Sequence, residues 1–297
     1  MTTHARYEPD TGAKVVRSLL RDQVPELAEL PLDRLSNTGS DNALYRLGVH
    51  LVVRLPRFSD AARRLRDELD WLPRLAHLPI AIPDIAHLGT PAAGYPYLWA
   101  ILRWVDGVDA WEARHHEDWF GSELGRDLAE VIRYLRSLPV AGARPRQPGQ
   151  RGAPLRALDD RFRWWLDRAN GLVDVSAVTR LWEESLEGDA DAEPVVVHGD
   201  LIPGNLLVAD TGLTAVLDWG GIGAGDPAQD LSPAWSVLTT AGSAAFRQAL
   251  DVDEQSWLRG RGFTLEQAVG GVVTYRPQRH PLGDVMQRTL DRLLARE

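Results

Sequence analysis

The sequence contains no cysteine. That excludes disulfides, thiol nucleophiles and thiolate metal sites, and it is the usage expected in a reducing compartment. No stretch of the chain approaches the roughly 18–20 apolar residues needed to span a bilayer. The opening MTTHARYEPD lacks the apolar core of a secretory leader. A cytoplasmic protein with no membrane partner is therefore expected. Basic residues are in deficit. The 33 Lys and Arg face 42 Asp and Glu, a net charge of -9. This argues against nucleic acid as a partner, because phosphate binding calls for a basic surface. It suits a cationic small molecule. Neither G-x-x-x-x-G-K-[ST] nor G-x-S-x-G occurs, so a P-loop and a hydrolase elbow have no support.

With 297 residues the chain can build one large domain or two modest ones around an ample core. Its first third reads as strands with one helix. Leu32–Ser36 and Ala43–Leu47 flank the polar turn SNTGSDN, and His50–Leu55 is a third strand closed by Pro56. Ser59 is expected to cap a helix running to about Leu72, with Ala62, Leu65, Leu69 and Leu72 at helical spacing. Apolar runs follow at Ile85–Leu88 and Tyr97–Val105, and Trp104–Gly107 reads as a connection between lobes. The remainder reads mostly as helix: 118–138, then 156–170 and 174–187 after a Pro-, Gly- and Arg-rich loop at 141–154. Beyond Asp226 four more helical patterns fall at 227–241, 243–258, 263–275 and 282–296. Trp164, Trp165, Trp182, Trp235 and Trp257 all lie in helix-like segments, where core packing is the default role. The expectation is an α+β protein of two lobes. Residues 1–103 form a small β-rich lobe and 104–297 a larger, mainly α-helical one, with nucleotide between them.

The chemistry concentrates in VVVHGDLIPGNLLVADTGLTAVLDWGG, Val195 to Gly221. Asp200 and Asn205 are five residues apart, and Asp218 follows thirteen after Asn205. Phosphoryl transfer from a nucleotide needs an acidic group beside the attacking hydroxyl and oxygen ligands that hold Mg²⁺ on the phosphates. The spacing equals that of the protein-kinase catalytic loop. Asp200 is the candidate base. Asn205 and Asp218 offer a neutral and a charged oxygen to Mg²⁺. His198 is expected to shape the loop through hydrogen bonds, and Pro203-Gly204 to turn Asn205 back toward Asp200.

Arg54, on the third strand, is a cation that can pair with phosphate oxygens. Glu68 on the following helix is the preferred partner to fix it, with Asp67 and Asp70 as rivals. In the SNTGSDN turn, the backbone N–H groups of Ser36, Thr38, Gly39 and Ser40 can close over phosphates; a plain hairpin is the alternative. Gly220–Gly225 (GGIGAG) does not satisfy G-x-G-x-x-G in any frame, so a dinucleotide fold is rejected. His115-His116 reads as a polar loop rather than a metal site.

On these residues the chain resembles the aminoglycoside phosphotransferase family, small-molecule kinases with a protein-kinase-like fold. The resemblance runs from about Leu35 to the C-terminus and is strongest in VVVHGDLIPGNLLV, VLDWGG and GDPAQDL. It implies a bilobal fold, ATP or GTP with Mg²⁺, and γ-phosphate transfer to a hydroxyl. It carries catalysis onto Asp200 and metal binding onto Asn205 and Asp218. Asp226 and Asp230 fall in the family's GDPxxDL segment, where a role in capping a helix and bracing the catalytic loop is expected. The departure is Arg54, where many members have lysine; arginine keeps the charge but is bulkier. The expected acceptor is a cationic aminoglycoside or related antibiotic. Asp159, Asp160 and Asp167 are candidate contacts for it. The alternatives are a metabolic kinase of an amino alcohol, sugar or macrolide, and a nucleotide-binding protein with little catalysis.

Overall fold

A computed structural model describes residues 8–35, 41–188 and 192–295. The chain divides into two compact units, one of Met1–His77 with Ala81–Asp106 and one of Leu78–Ile80 with Gly107–Glu297. It is an α+β protein, with a sheet-based first unit and a mainly helical second one.

The first unit opens with a helix absent from the sequence-based reading, α1 (Ala13–Gln23). Its signal is Val16, Leu19 and Leu20, three apolar residues on one face and all fully buried. Strands β1 (Leu32–Arg34), β2 (Asn42–Leu47), β3 (Leu51–Pro56), β4 (Ile85–Gly89) and β5 (Trp99–Arg103) form one antiparallel sheet in the order β1-β2-β3-β5-β4. Along β2 burial alternates, so Ala43, Tyr45 and Leu47 face inward. They join Val53, Leu55, Tyr95, Trp99 and the apolar stripe of α1 in one core. The buried hydroxyl of Tyr95 donates to Pro56 O at 2.7 Å, so its polar end is satisfied.

Helix α2 (Ser59–Trp71) packs on β3. Phe58, not Ser59, occupies the capping position, and no side chain caps the helix; Ser59 is its first residue. Leu65, Glu68 and Leu69 are buried on its inner face.

In the second unit, β6 (Val108–Asp109), β8 (Leu206–Ala209) and β9 (Gly212–Val216) form a small antiparallel sheet, and β7 (Val195–Val197) pairs with β10 (Gly223–Gly225). The helices are α3 (Ser122–Ser137), α4 (Asp159–Arg168), α5 (Val175–Leu186), α6 (Pro233–Ser236), α7 (Thr240–Ala249), α8 (Glu254–Tyr275) and α9 (Pro281–Leu294). The sequence pattern misplaced the division between the last three. It put one helix at 243–258 and another at 263–275. The break instead lies at Leu250–Asp253, where Asp251 takes a left-handed φ of 51° and the Asp253 carboxylate accepts from Ser256 N at 2.7 Å to start α8. Gly260 and Gly262, which lie between those two expected helices, are close-packing positions inside α8. A Cβ on Gly262 would stand 2.6 Å from Leu155 Cδ2. Trp164 also departs from the core expectation: it is 46 % exposed, under the guanidinium of Arg168. Trp182 is fully buried and stacks on Phe162 with ring centroids 4.0 Å apart.

Helix α8 is the centre of this unit and packs on α9, α5 and α4. Most residues from Arg259 to Val272 are buried, including four that are charged or polar. Buried polar groups need partners, and each has one. Arg259 Nε donates to Asp226 Oδ2 at 2.7 Å, Thr264 Oγ1 donates to Gly260 O, and Glu266 pairs with Arg151 and Arg161 at 2.9 Å each. The fourth, Gln267, reaches Asp200 on the loop described below. No helix among the described residues is long and apolar enough to cross a membrane.

Two measurements test these anchors. Arg259→Met leaves the buried Asp226 carboxylate without its cation and is expected to destabilise the unit by about 3–5 kcal/mol, read from the urea midpoint. Adding Asp226→Asn should recover most of that loss, because asparagine still caps Ala228 N. The second concerns Glu266. Burial alone would raise its carboxyl, but Arg151 and Arg161 overcome this and hold it below the usual range. A depressed folded-state value means the stabilisation is present above the ordinary glutamate range and is lost as pH falls below it. Unfolding free energy followed from pH 7 to pH 3 should therefore drop less steeply in Glu266→Gln, which starts lower at pH 7. Parallel curves would show that this pair contributes nothing to acid sensitivity.

Candidate active site

Three short elements bring the proposed chemistry together in the second unit. Buried β7 runs into His198-Gly199-Asp200, and the chain then turns sharply: Ile202 N donates to Asp200 O and Asn205 N to Ile202 O, both at 2.9 Å. Pro203–Asn205 form a single 3-10 turn before β8. The β8–β9 register sets Leu206 opposite Val216. Just beyond it, Leu217 N donates to Asn205 O at 2.8 Å. Asp218 thus returns to the loop that carries Asp200 and Asn205. It adopts the left-handed φ of 57°, a conformation that Asp tolerates better than most residues.

The Asp200 carboxylate is bracketed. Asn205 Nδ2 donates to Asp200 O at 2.9 Å and to its Oδ2 at 3.3 Å; Gln267 Nε2 donates to Oδ1 at 2.8 Å. Burial pushes the Asp200 carboxyl above the ordinary range; Arg151 opposes this, Asp218 reinforces it, and His198 and Gln267 oppose it in turn. A carboxylate raised in this way is a stronger base than a solvated one. Because the Asn205 amide nitrogen is committed to Asp200, its oxygen is the atom left for a cation. With the Asp218 carboxylate it makes a pair of hard oxygen donors, which fits Mg²⁺ sites completed by phosphate and water.

The loop is rigidly held. Asp230 accepts from His198 N at 2.7 Å through Oδ2 and from Gly199 N at 2.8 Å through Oδ1. The fully buried His198 ring lies 3.1 Å from Leu217 O through Nε2 and accepts from Asp200 N at 3.2 Å through Nδ1, which sets the Nε2–H tautomer. Gly199 has a φ of 86°, and a Cβ there would stand 2.8 Å from Gly221 O. Only glycine meets both demands. Asp226 caps the next turn by accepting from Ala228 N at 2.8 Å while holding Arg259.

The 141–154 segment does more than connect α3 to α4. Arg146 N donates to Ala224 O at 3.0 Å and Ala224 N to Arg144 O at 2.9 Å, which lays the segment beside β10. The Arg146 guanidinium then donates to Gly221 O, between the Asp200 and Asp218 turns. Arg151 lies close enough to Asp200 to act on its charge.

Among the residues expected from sequence, Asp200, Asn205 and Asp218 come together here. Arg54 and Glu68 form their own pair in the first unit, with Arg54 Nη1 donating to Glu68 Oε2 at 2.7 Å and both side chains buried. Ser36, Thr38, Gly39 and Ser40 lie outside the described residues. Asp159 is already engaged, by Arg163 at 2.9 Å and by Trp182 Nε1 at 2.7 Å, whereas Asp160 and Asp167 are exposed. His116 stacks on Trp119 at 4.3 Å. The GGIGAG stretch forms a 3-10 turn and strand β10. Sequence reasoning missed Gln267, Glu266, Arg146 and Arg151. Only the first two left a signal, as a polar pair inside the apolar run FTLEQAVGGVV.

The model of the phosphotransferase enzyme family, APH, matches residues 34–263. No curated protein sequence matches the chain. Solved structures with the same fold include the GDP complex of wild-type aminoglycoside 2'-phosphotransferase-IIIa, 18% identical with a TM-score of 0.72, covering 95% of this chain and 98% of that one. The streptomycin–ATP–APH(2'')-IIa ternary complex is 14% identical with a TM-score of 0.61, covering 90% and 92%. Macrolide 2'-phosphotransferase MphH from Brachybacterium faecium, as apoenzyme, is 23% identical with a TM-score of 0.60, covering 93% and 97%. At these identities the likeness speaks for the fold. The family match, spanning most of the chain and the whole Asp200–Asp218 segment, goes further: the chain belongs to the phosphotransferase enzyme (APH) family.

Proposed function

We propose that this enzyme is a small-molecule kinase that moves the γ-phosphate of ATP or GTP to a hydroxyl of an aminoglycoside or related antibiotic in the cytoplasm. The observation that carries the reading is the Asp200 carboxylate, held beside Asn205 and Asp218 on one folded-back loop. In the step assigned to it, the acceptor oxygen attacks the γ-phosphorus and a new O–P bond forms. The bond from that phosphorus to the β–γ bridging oxygen breaks, and its electron pair leaves with the nucleoside diphosphate. The acceptor proton passes to Asp200. In a loose transition state most of the catalysis is positioning, so a carboxylate fixed at both oxygens suits the task. Asn205 Oδ1 and the Asp218 carboxylate would hold Mg²⁺, which when bound neutralises charge on the phosphate oxygens. Arg54, fixed by Glu68, is assigned to nucleotide phosphates, where its planar fork can bind two oxygens at once. Ser36, Thr38, Gly39 and Ser40 are assigned the backbone cover over those phosphates. A GDP complex and an ATP complex among the similar structures support a nucleotide donor without choosing between the two.

A second reading concerns the acceptor. Arg146 and Arg151 both act on the Asp200 charge, and Asp159 is bound up by Arg163 and Trp182. That leaves less uncompensated acidic charge for a polycation to use. These guanidiniums favour an acceptor with few positive charges, such as a macrolide, over a polycationic aminoglycoside.

Purified protein with Mg²⁺ should release ADP or GDP in an acceptor-dependent way across a panel of macrolides, aminoglycosides and small amino alcohols. Release with macrolides at lower concentration than with aminoglycosides would support the second reading; release with aminoglycosides alone would sink it. Tight nucleotide binding with no acceptor-dependent release would point to a binding protein. Asp200→Asn should keep nucleotide affinity, measured by calorimetry, and lose about 10²–10⁴-fold in turnover. Unchanged turnover removes Asp200 as the base.

A further inference from the structure

We propose that Gln267 is a positioning residue for phosphoryl transfer, holding Asp200 in the rotamer in which it serves as base; this rests on the function proposed above. Asp200 Oδ1 accepts from Gln267 Nε2 at 2.8 Å, across 67 residues of sequence. The other oxygen receives only the longer 3.3 Å bond from Asn205. That second bond comes from a residue whose own oxygen is assigned to the cation, so its amide orientation answers to two demands. Gln267 answers to one.

Its place in the helix is over-determined. Gln267 is 8 % exposed, in the most buried part of α8. The preceding residue, Glu266, is gripped by Arg151 and Arg161, and Gly270 one turn on lies against Trp165, where a Cβ would approach its Nε1 to 3.0 Å. The helix therefore cannot rotate or slide without breaking a buried ion pair or driving the backbone into an indole. The residue type also fits. An uncharged amide orients a carboxylate by a charge-assisted hydrogen bond. A lysine would add a full positive charge and weaken the base. A glutamate would set a second carboxylate against the first.

The test is steady-state kinetics of Gln267→Leu and Gln267→Met with an accepted acceptor, alone and combined with Asp200→Asn. Turnover should fall about 10- to 100-fold in each single variant, with KM for acceptor and nucleotide and the thermal midpoint close to wild type. In the Asp200→Asn background the same substitutions should cost almost nothing further, because residues that act as a unit are not additive. Wild-type kcat in Gln267→Met, which has lost the donor but kept the shape, overturns the proposal. So does a change confined to KM, which would make Gln267 an acceptor contact, or a full additional loss on top of Asp200→Asn. If Gln267→Leu does not fold, the near-isosteric Gln267→Met decides. Failure of the underlying reading looks different: Asp200→Asn itself would then keep wild-type turnover, or no acceptor would be found.

Discussion

One carboxylate fixes the geometry on which the site depends. Asp230 takes the backbone N–H groups of His198 and Gly199 onto its two oxygens. A strand that ends in the interior exposes donors that its ladder no longer satisfies, and leaving them unpaired costs about 1–3 kcal/mol each. Asp230 removes that cost and, by doing so, sets the direction in which the chain leaves β7. Everything after it follows from short-range constraints: the left-handed Gly199, the Asp200–Asn205 turn, and the hairpin that returns Asp218. The His198 ring completes the frame by joining Leu217 O to Asp200 N. The loop is thus specified by hydrogen bonds on the main chain.

The second constraint is α8. An ordinary surface helix keeps its polar residues on one face, but the middle of this one is buried all round. Each polar side chain there must find a partner from elsewhere in the fold. Arg259 takes Asp226 from the segment that also carries Asp230, and Gln267 takes Asp200. Through those two bonds the helix is tied to the Asp226–Asp230 segment and to the Asp200 loop. Its glycines let neighbouring side chains and backbone approach closely. Packing and catalysis therefore share one element.

Much of this was legible in the sequence, for a definable reason. Asp200, Asn205 and Asp218 lie within nineteen residues, so local turn and hairpin geometry suffices to unite them. The Arg54–Glu68 pair was legible for the same reason, since a strand and the helix that follows it pack together. What escaped was non-local. No spacing rule ties Arg146 to Gly221 or Gln267 to Asp200. The 141–154 segment, rich in proline and glycine, read as a connector although its backbone continues the edge of β10. Helix boundaries failed between α7 and α8: Gly260 and Gly262 lie inside α8, where their lack of a side chain serves packing, while the true break at Asp251–Asp253 is marked by a cap. Helix α1 went unread, although Val16, Leu19 and Leu20 carry a regular stripe.

The electrostatics of the second unit follow from the same arrangement. Asp200, Asp218 and Asp230 gather three carboxyl groups around one loop, a repulsive set in a partly dry environment. Asp230 is compensated by backbone dipoles. Asp200 is compensated in part by Arg151, whose charge is shared with Glu266 and, through it, with Arg161. Arg146 adds charge from the other side but spends its hydrogen bond on a carbonyl. What remains is a local excess of negative charge at the mouth formed by Asp200 and Asp218, bounded by guanidiniums rather than by further acids. Charge that would otherwise repel is thus offset within the surroundings of the loop, by backbone N–H groups on Asp230 and by Arg151 near Asp200.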